Sequence, residues 1–405
     1  MLNLDHRKLK KPLVAYNSLG EKEIGKQSSS FQPGEWICAD DGKATKVLVG
    51  YINPFAKKNE LFRVVGQASR SIVDKDESLI AMEIIKSKID EAIKKRESFK
   101  YINEGCRLIF GSSDELPGLI VDKVNNYLLV QINTMGMFRY KEWIEKSLRD
   151  KFTENKICYL QNKNISTGED LPEQAFEMDE EWIESVELGH RFAISRKNLQ
   201  KTGFYFDHRD NRNRLQSLIR SYEKQLDSGV DLFSYLGAWG MTLLKSGVKS
   251  CQFVDQANLE DEFNKNLEIN GYSARGQFIK SDVFIYLDEC SKNKIQFDII
   301  VSDPPAFVKK AQDKKKAIVG YEKLHGKALS CVKDQGIFVA ASCTQPVSIE
   351  EFDETVSKAA ARLNKKVELL DIGIQSKDHP TESLLSKSNY IKYLAYKVTY
   401  KSEIK

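Results

Sequence analysis

Residues 230–244 read VDLFSYLGAWGMTLL, an apolar strand that passes through a short loop into an apolar helix. In α/β sheets such a strand-to-helix turn is where nucleotide-bearing cofactors bind. A dinucleotide loop would need G-x-G-x-x-G, so that backbone could approach a pyrophosphate. Here Phe233 and Tyr235 stand where glycines would be expected, and Gly237 is the one position offering a close approach.

Working outward, the segment after residue 207 alternates helical stretches with strand cores: VDLF, CQFVD, GQFIKSD, FDIIVSD, GIFVAAS, VELLDIG and YIKYLAYKV. That alternation predicts a largely parallel sheet with right-handed crossovers, closed at one edge by an antiparallel hairpin of the last two strands. Acidic residues recur at the strand ends: Asp231, Asp255 in FVDQ, Asp282 in IKSD and Asp303 in SDPPAF. A carboxylate at the end of the second strand can accept both ribose hydroxyls of a nucleoside. S-adenosylmethionine has no phosphate and asks for a single close backbone approach, so the loop favours this methyl donor over NAD. Phe233 and Tyr235 would pack around it, Gly237 would admit it, Asp255 would hold its ribose, and Asp282 with Val283 and Phe284 would hold and wall its adenine.

The remaining chain is organised differently. Residues 1–72 show short alternating segments with turn signals at Pro33-Gly34 and Asp41-Gly42, a small β-domain. Residues 73–185 form a central α+β unit, with helices over 76–98 and around 140–152, a hairpin turning at Asn125-Asn126, and an acidic stretch near its end. Residues 186–405 hold the α/β domain.

Composition is that of an ordinary globular chain, 41% hydrophobic with a net charge of +4. No apolar run approaches the roughly 18 residues of a membrane helix and the first residues lack a secretory core, so a cytoplasmic location away from membranes is expected. Seven scattered cysteines without C-x-x-C pairs argue against a zinc site or a disulfide framework, and no metal is expected. Charge is uneven: Arg191, Arg196, Lys197, Lys201, Arg209, Arg212 and Arg214 crowd 191–214, and KKAQDKKK occupies 309–316. Both are candidates for contacting a polyanion, solvated surface being the plainer alternative.

KTGFYFDHRDNR at 201–212, DLFSYLGAWG, VDQ, SDPPAF and GIFVAASCTQP, with RLIFGSSDELPGLIVD at 107–122, together resemble the bacterial ribosomal RNA large subunit methyltransferase I family. The resemblance spans most of the chain. It implies an N-terminal PUA-like domain, a central α+β domain and a C-terminal Rossmann-like class I methyltransferase domain, acting with S-adenosylmethionine on cytosine C5 of 23S ribosomal RNA or its precursor. It also implies that Phe206, Arg209, Ser234 and Gln256 join the cofactor site. Two departures stand out: KKPLVAYNSL lacks the tryptophan-containing opening of such PUA domains, and the S-C-S triplet is Ser342-Cys343-Thr344. The oligomeric state is open between a monomer and a homodimer.

Cytosine C5 is a weak nucleophile, and attack of a thiolate on C6 would activate it. Cys343 is the expected nucleophile, helped by cations nearby, and Asp303 the group binding the base edge. Phe307 and Tyr321 are candidates for stacking on the base, core packing being the alternative. Guanine-N7 or another ribosomal RNA methylation on the same scaffold, the former needing no thiolate, and a noncatalytic RNA-binding assembly factor are the competing readings.

Overall fold

The computed structural model describes residues 1–13, 16–72, 77–160, 169–201, 203–384, 386 and 388–401. Asp76, expected to open a helix, and Thr202 of the Lys201–Arg212 motif lie outside them, as does the side chain of Lys201. The chain falls into two compact units: Met1–Ile183 with Arg196–Phe204 and Asp378–Pro380, and Glu184–Ser195 with Tyr205–Lys377 and Thr381–Lys405.

The second unit carries a seven-stranded sheet. Its strands are β1 (Ser228–Leu232), β2 (Ser250–Asp255), β3 (Gly276–Lys280), β4 (Phe297–Ser302), β5 (Val332–Ser342), β6 (Lys365–Gly373) and β7 (Lys392–Tyr400). The spatial order is β3-β2-β1-β4-β5-β7-β6. β1 to β5 run parallel, and β7 is antiparallel to both β5 and β6. The expected hairpin therefore exists, with its second strand inserted between β5 and the edge strand β6. Strands buried on both faces read as nearly continuous apolar runs; all six residues of Phe297–Ser302 are buried.

Helices between the strands are α1 (Arg209–Ser221), α2 (Ala238–Lys245), α3 (Glu260–Ile269), α4 (Val283–Lys292), α5 (Lys314–Ser330) and α6 (Ile349–Arg362). α6 opens with a capping box, in which Ser348 and Glu351 exchange side-chain and backbone bonds. One face of the sheet packs Val230, Leu232, Ile300, Phe338 and Ala340 against Tyr321, Leu324, Phe352 and Val356 of α5 and α6. The order of strands reverses between β1 and β4, which fixes the ligand crevice beyond the carboxyl ends of those two strands.

The first unit holds a five-stranded sheet and a four-stranded sheet. The first is built from Leu2–Asn3, Ser18–Leu19, Glu35–Asp40, Lys46–Ile52 and Phe62–Ser69, the second from Gly105–Phe110, Leu119–Val124, Tyr127–Ile132 and Lys156–Tyr159. The turn at Asn125 takes the left-handed conformation, φ 51°. A helix over Glu77–Glu97 and another over Lys141–Arg149 match the expected spans closely. One core joins Trp36, Tyr51 and Val65 of the first sheet to Ile85, Ile89, Leu108, Val121 and Leu128. Segments read separately from sequence thus share an interior. Arg96 is held there by a two-pronged bond to Asp114, both distances 2.7 Å.

Candidate active site

Beyond β1 the loop Phe233–Gly237 is wound tightly: Phe233 (φ 61°), Tyr235 (φ 47°) and Gly237 (φ 83°) all take left-handed conformations. For the two aromatic residues this costs on the order of 1–3 kcal/mol each, strain that concentrates at functional sites. Asp255, at the end of β2, holds the loop in place. Its Oδ2 accepts from the Tyr235 N–H at 2.9 Å and its Oδ1 from the Ala257 N–H at 2.8 Å. Each oxygen keeps acceptor capacity, and the residue is partly exposed, the condition a ribose-binding carboxylate needs.

Gly237 also packs too tightly for a side chain. A Cβ there would lie 2.8 Å from Phe263 Cε1 and 3.0 Å from Phe253 Cε1, so the glycine lets the loop pack on those rings. Asp231 is fully buried. Its Oδ2 accepts from the Gly240 N–H at 2.8 Å, while Oδ1 has no hydrogen-bond partner among the described residues. Burial, reinforced by the neighbouring Asp303 and Asp255 carboxylates, pushes its pKa up to about 8. Ser234 Oγ is likewise buried without a partner among the described residues. Two carboxylates, Asp255 and Asp303, a buried carboxyl with an unmatched oxygen and an unmatched hydroxyl around one crevice fit a ligand that brings hydroxyls and a positive charge.

Asp282 caps α4, its Oδ1 accepting from the N–H groups of Phe284 (2.8 Å) and Ile285 (3.2 Å), and Val283 is in the core. Gln256 is exposed. Phe206 and Arg209 are buried, the guanidinium lying 4.8 Å over the Phe206 ring and 3.5 Å from Glu187. Both residues sit at the start of α1. In the basic run of the same helix, Arg212 makes a two-pronged buried bond to Glu187 at 2.7 Å and Arg214 pairs with Asp371.

Asp303 and Cys343 follow adjacent strands, β4 and β5. Asp303 Oδ2 accepts from Trp239 Nε1 at 2.9 Å, and His208 Nε2 stands 3.6 Å from Oδ1. Asn211 Nδ2 can only donate to His208 Nδ1, at 3.1 Å, so the ring proton of neutral His208 sits on Nε2, facing Asp303. Six of the seven cysteines are buried and Cys343 is partly exposed. Burial, followed by the Asp303 and Asp207 carboxylates, pushes its thiol up to about 12, while Lys392 pulls the other way. Lys392 is the cation expected beside the thiol. It is itself buried, donates to the Thr344 carbonyl at 2.7 Å, and burial lowers its pKa to about 8.

Tyr321 is fully buried, so it packs in the core and cannot stack on a base; its ring lies 4.5 Å from that of Phe307. Tyr205, which the sequence did not single out, is nearly half exposed at 48%. Its ring meets Tyr235 edge-on at 5.3 Å, and its hydroxyl is within electrostatic reach of Asp207, Cys343 and Asp303. Trp239, His208 and Lys392 were missed as well. Trp239 lay in the opening stretch, but nothing local linked it to Asp303. Among the described residues no helix is long and apolar enough to cross a membrane, and no cluster of metal-ligating side chains occurs.

No protein-family model matches the chain. Ribosomal RNA large subunit methyltransferase I of Aeromonas salmonicida is 31% identical over 296 residues, 72% of this chain and 74% of that one. The protein of the same name from Aliivibrio fischeri is 29% identical over 300 residues, 73% of this chain and 74% of its own. A crystal structure of a methyltransferase complexed with SAH superposes with a TM-score of 0.77 at 18% identity, covering 98% of this chain and 99% of that one. A SAM-dependent methyltransferase from Streptococcus mutans gives 0.74 at 17% identity, with coverage of 98% and 99%. These two likenesses show the fold.

Proposed function

The chain belongs to the ribosomal RNA large subunit methyltransferase I family, and from that premise we propose that it forms 5-methylcytosine in 23S ribosomal RNA, with Cys343 as nucleophile. It is an S-adenosylmethionine-dependent methyltransferase. Asp255 would hold the cofactor ribose, and Asp231, Ser234 and the Phe233–Gly237 loop would surround its amino acid and sulfonium portion. When bound, the cofactor supplies an electrophilic methyl group.

Cys343 adds to C6 of the cytosine, and the C6–S bond makes C5 electron-rich enough to take the methyl. Loss of the C5 proton and cleavage of C6–S then restore the aromatic ring. Asp303, steadied by Trp239, engages the base edge during addition. The observation that carries this reading is the placement of a partly exposed cysteine and a partly exposed carboxylate at the ends of neighbouring strands. A cytosine must leave its stack to reach them, at a cost of roughly a few kcal/mol.

Lys309, Lys310, Lys315 and Lys316 are exposed just beyond Phe307. Lys314, Lys315 and Lys316 open α5, where the helix dipole disfavours cations. An RNA phosphate there would offset that cost. Residues 1–72 serve as a PUA-like RNA-binding domain, 73–185 as the central domain and 186–405 as the catalytic one.

Guanine-N7 methylation is the second reading, since burial pushes the Cys343 thiol up and attack by N7 needs no thiolate. RNA bearing 5-fluorocytosine separates the two. Fluorine cannot leave C5 as a proton, so a protein–RNA adduct accumulates in the presence of S-adenosylmethionine, and Cys343→Ala forms neither adduct nor product. Wild-type turnover by Cys343→Ala would transfer the assignment to guanine N7.

A further inference from the structure

Cys343 is bracketed by two buried hydroxyls, Ser342 and Thr344, each 0% exposed. Both meet the same phenol: Tyr321 Oη lies 2.7 Å from Ser342 Oγ and 2.6 Å from Thr344 Oγ1. Each hydroxyl also accepts from a backbone N–H. Ser342 Oγ takes the Thr344 N–H at 3.1 Å, closing a tight turn around Cys343. Thr344 Oγ1 takes the Phe307 N–H at 3.1 Å, reaching across to the loop that carries Asp303. Phe307 in turn stacks on the Tyr321 ring with planes 22° apart. Tyr321 comes from α5, an element separate from both loops, and its own place is fixed by Phe352 (4.9 Å, edge-on) and His325 (5.7 Å, stacked).

We propose that Tyr321 and Thr344 form a hydroxyl clamp that sets the position of Cys343 relative to Asp303, acting as positioning residues for the reaction. The inference rests on the cysteine reading above. Neither residue touches substrate: both are fully buried, and their polar atoms are turned to each other and to the two loops. Nucleophile and base-binding carboxylate must approach one cytosine together, and misplacement by about 1 Å is enough to cost roughly 100-fold in rate. The clamp also accounts for the departure from S-C-S at the third residue. What the site uses at 344 is a β-hydroxyl, which threonine and serine both have.

Three variants test it: Thr344→Ser keeps the hydroxyl, Thr344→Val keeps the shape without it, and Tyr321→Phe removes the phenol oxygen alone. The measurements are kcat and KM on target RNA, SAH affinity by calorimetry, melting temperature, and the rate of adduct formation on 5-fluorocytosine RNA. Thr344→Ser should stay within about threefold of wild type, whereas Thr344→Val and Tyr321→Phe should lose on the order of 10- to 100-fold in kcat and in trapping rate. KM and SAH affinity should stay unchanged, a split that simple loss of folded protein would not produce. If the wild type traps an adduct and both hydroxyl-deleting variants trap it at the same rate, the clamp is refuted and the cysteine reading stands. If the wild type traps none, the cysteine reading fails and takes the clamp with it. Equal losses in Thr344→Ser and Thr344→Val would overturn the clamp in favour of side-chain shape at 344.

Discussion

Two basic segments flank the crevice, and the molecule uses them in opposite ways. Arg209, Arg212 and Arg214 in α1 turn toward acids of their own unit: the first two are buried beside Glu187 and the third pairs with Asp371. At 309–316 the lysines face outward; Lys314 meets Glu351 and Lys316 meets Asp313, both at the surface. In sequence the two looked alike. Clustered positive charge in sequence can therefore become either a hydrated face, open to a polyanion, or a buried ionic joint.

The strongest way to break this contrast is Arg212→Leu. It takes both short bonds from buried Glu187 and leaves it only Arg209 at 3.5 Å, at a cost of up to about 3–5 kcal/mol, and at about 2–4 °C per kcal/mol for a domain of this size the melting temperature should fall by roughly 10 °C. Thermal denaturation checks this. An unchanged melting point with weakened RNA binding would move Arg212 to the RNA face and erase the distinction.

A second test concerns the acids, which divide between Asp282, whose Oδ1 caps α4, and Asp231, buried with an unmatched oxygen. The Asp231 pKa is raised from 3.8 to about 8, so across that range the folded chain holds a proton that the unfolded chain has released. Stability from this group is accordingly present at low pH and lost as pH rises toward 8. Asp231→Asn should be more stable than wild type at pH 8, by about 1–3 kcal/mol given the usual cost of unmatched buried polar groups, with the difference vanishing below about pH 4. Melting curves against pH measure it, and a gain that does not depend on pH would refute the assignment.

The smallest effect sharpens the lysine side. Replacing Lys309, Lys310 and Lys315 by alanine should leave the melting temperature within about 1 °C, since exposed charges contribute little. RNA binding should weaken, with the slope of log affinity against log salt reduced by about 0.7–0.9 for each phosphate that a lysine no longer neutralises. Filter binding over a salt series reads the slope, and no change in it would reduce these lysines to solvated surface.

The amino-acid order alone determined a good deal. Strand and helix alternation after residue 207, the turn at Asn125-Asn126 and the loop at 233–237 are local patterns, encoded by apolar periodicity and turn chemistry within a few residues, and the structure contains all of them. Cys343 stood out from its six fellow cysteines through the resemblance carried by GIFVAASCTQP, and in the structure it follows a buried strand beside the one ending in Asp303. Only the tertiary structure decided what the charged and hydroxyl groups do. Glu187, at the end of the strand Trp182–Glu187, neutralises Arg212 of α1, Trp239 aims Asp303 across the crevice, and Tyr321 binds both neighbours of Cys343 from the middle of a helix. The worth of a charge or a hydroxyl depends on desolvation and on a partner within about 3 Å. Both are set by which distant segments the folded core brings together, so no window of neighbouring residues could have contained them.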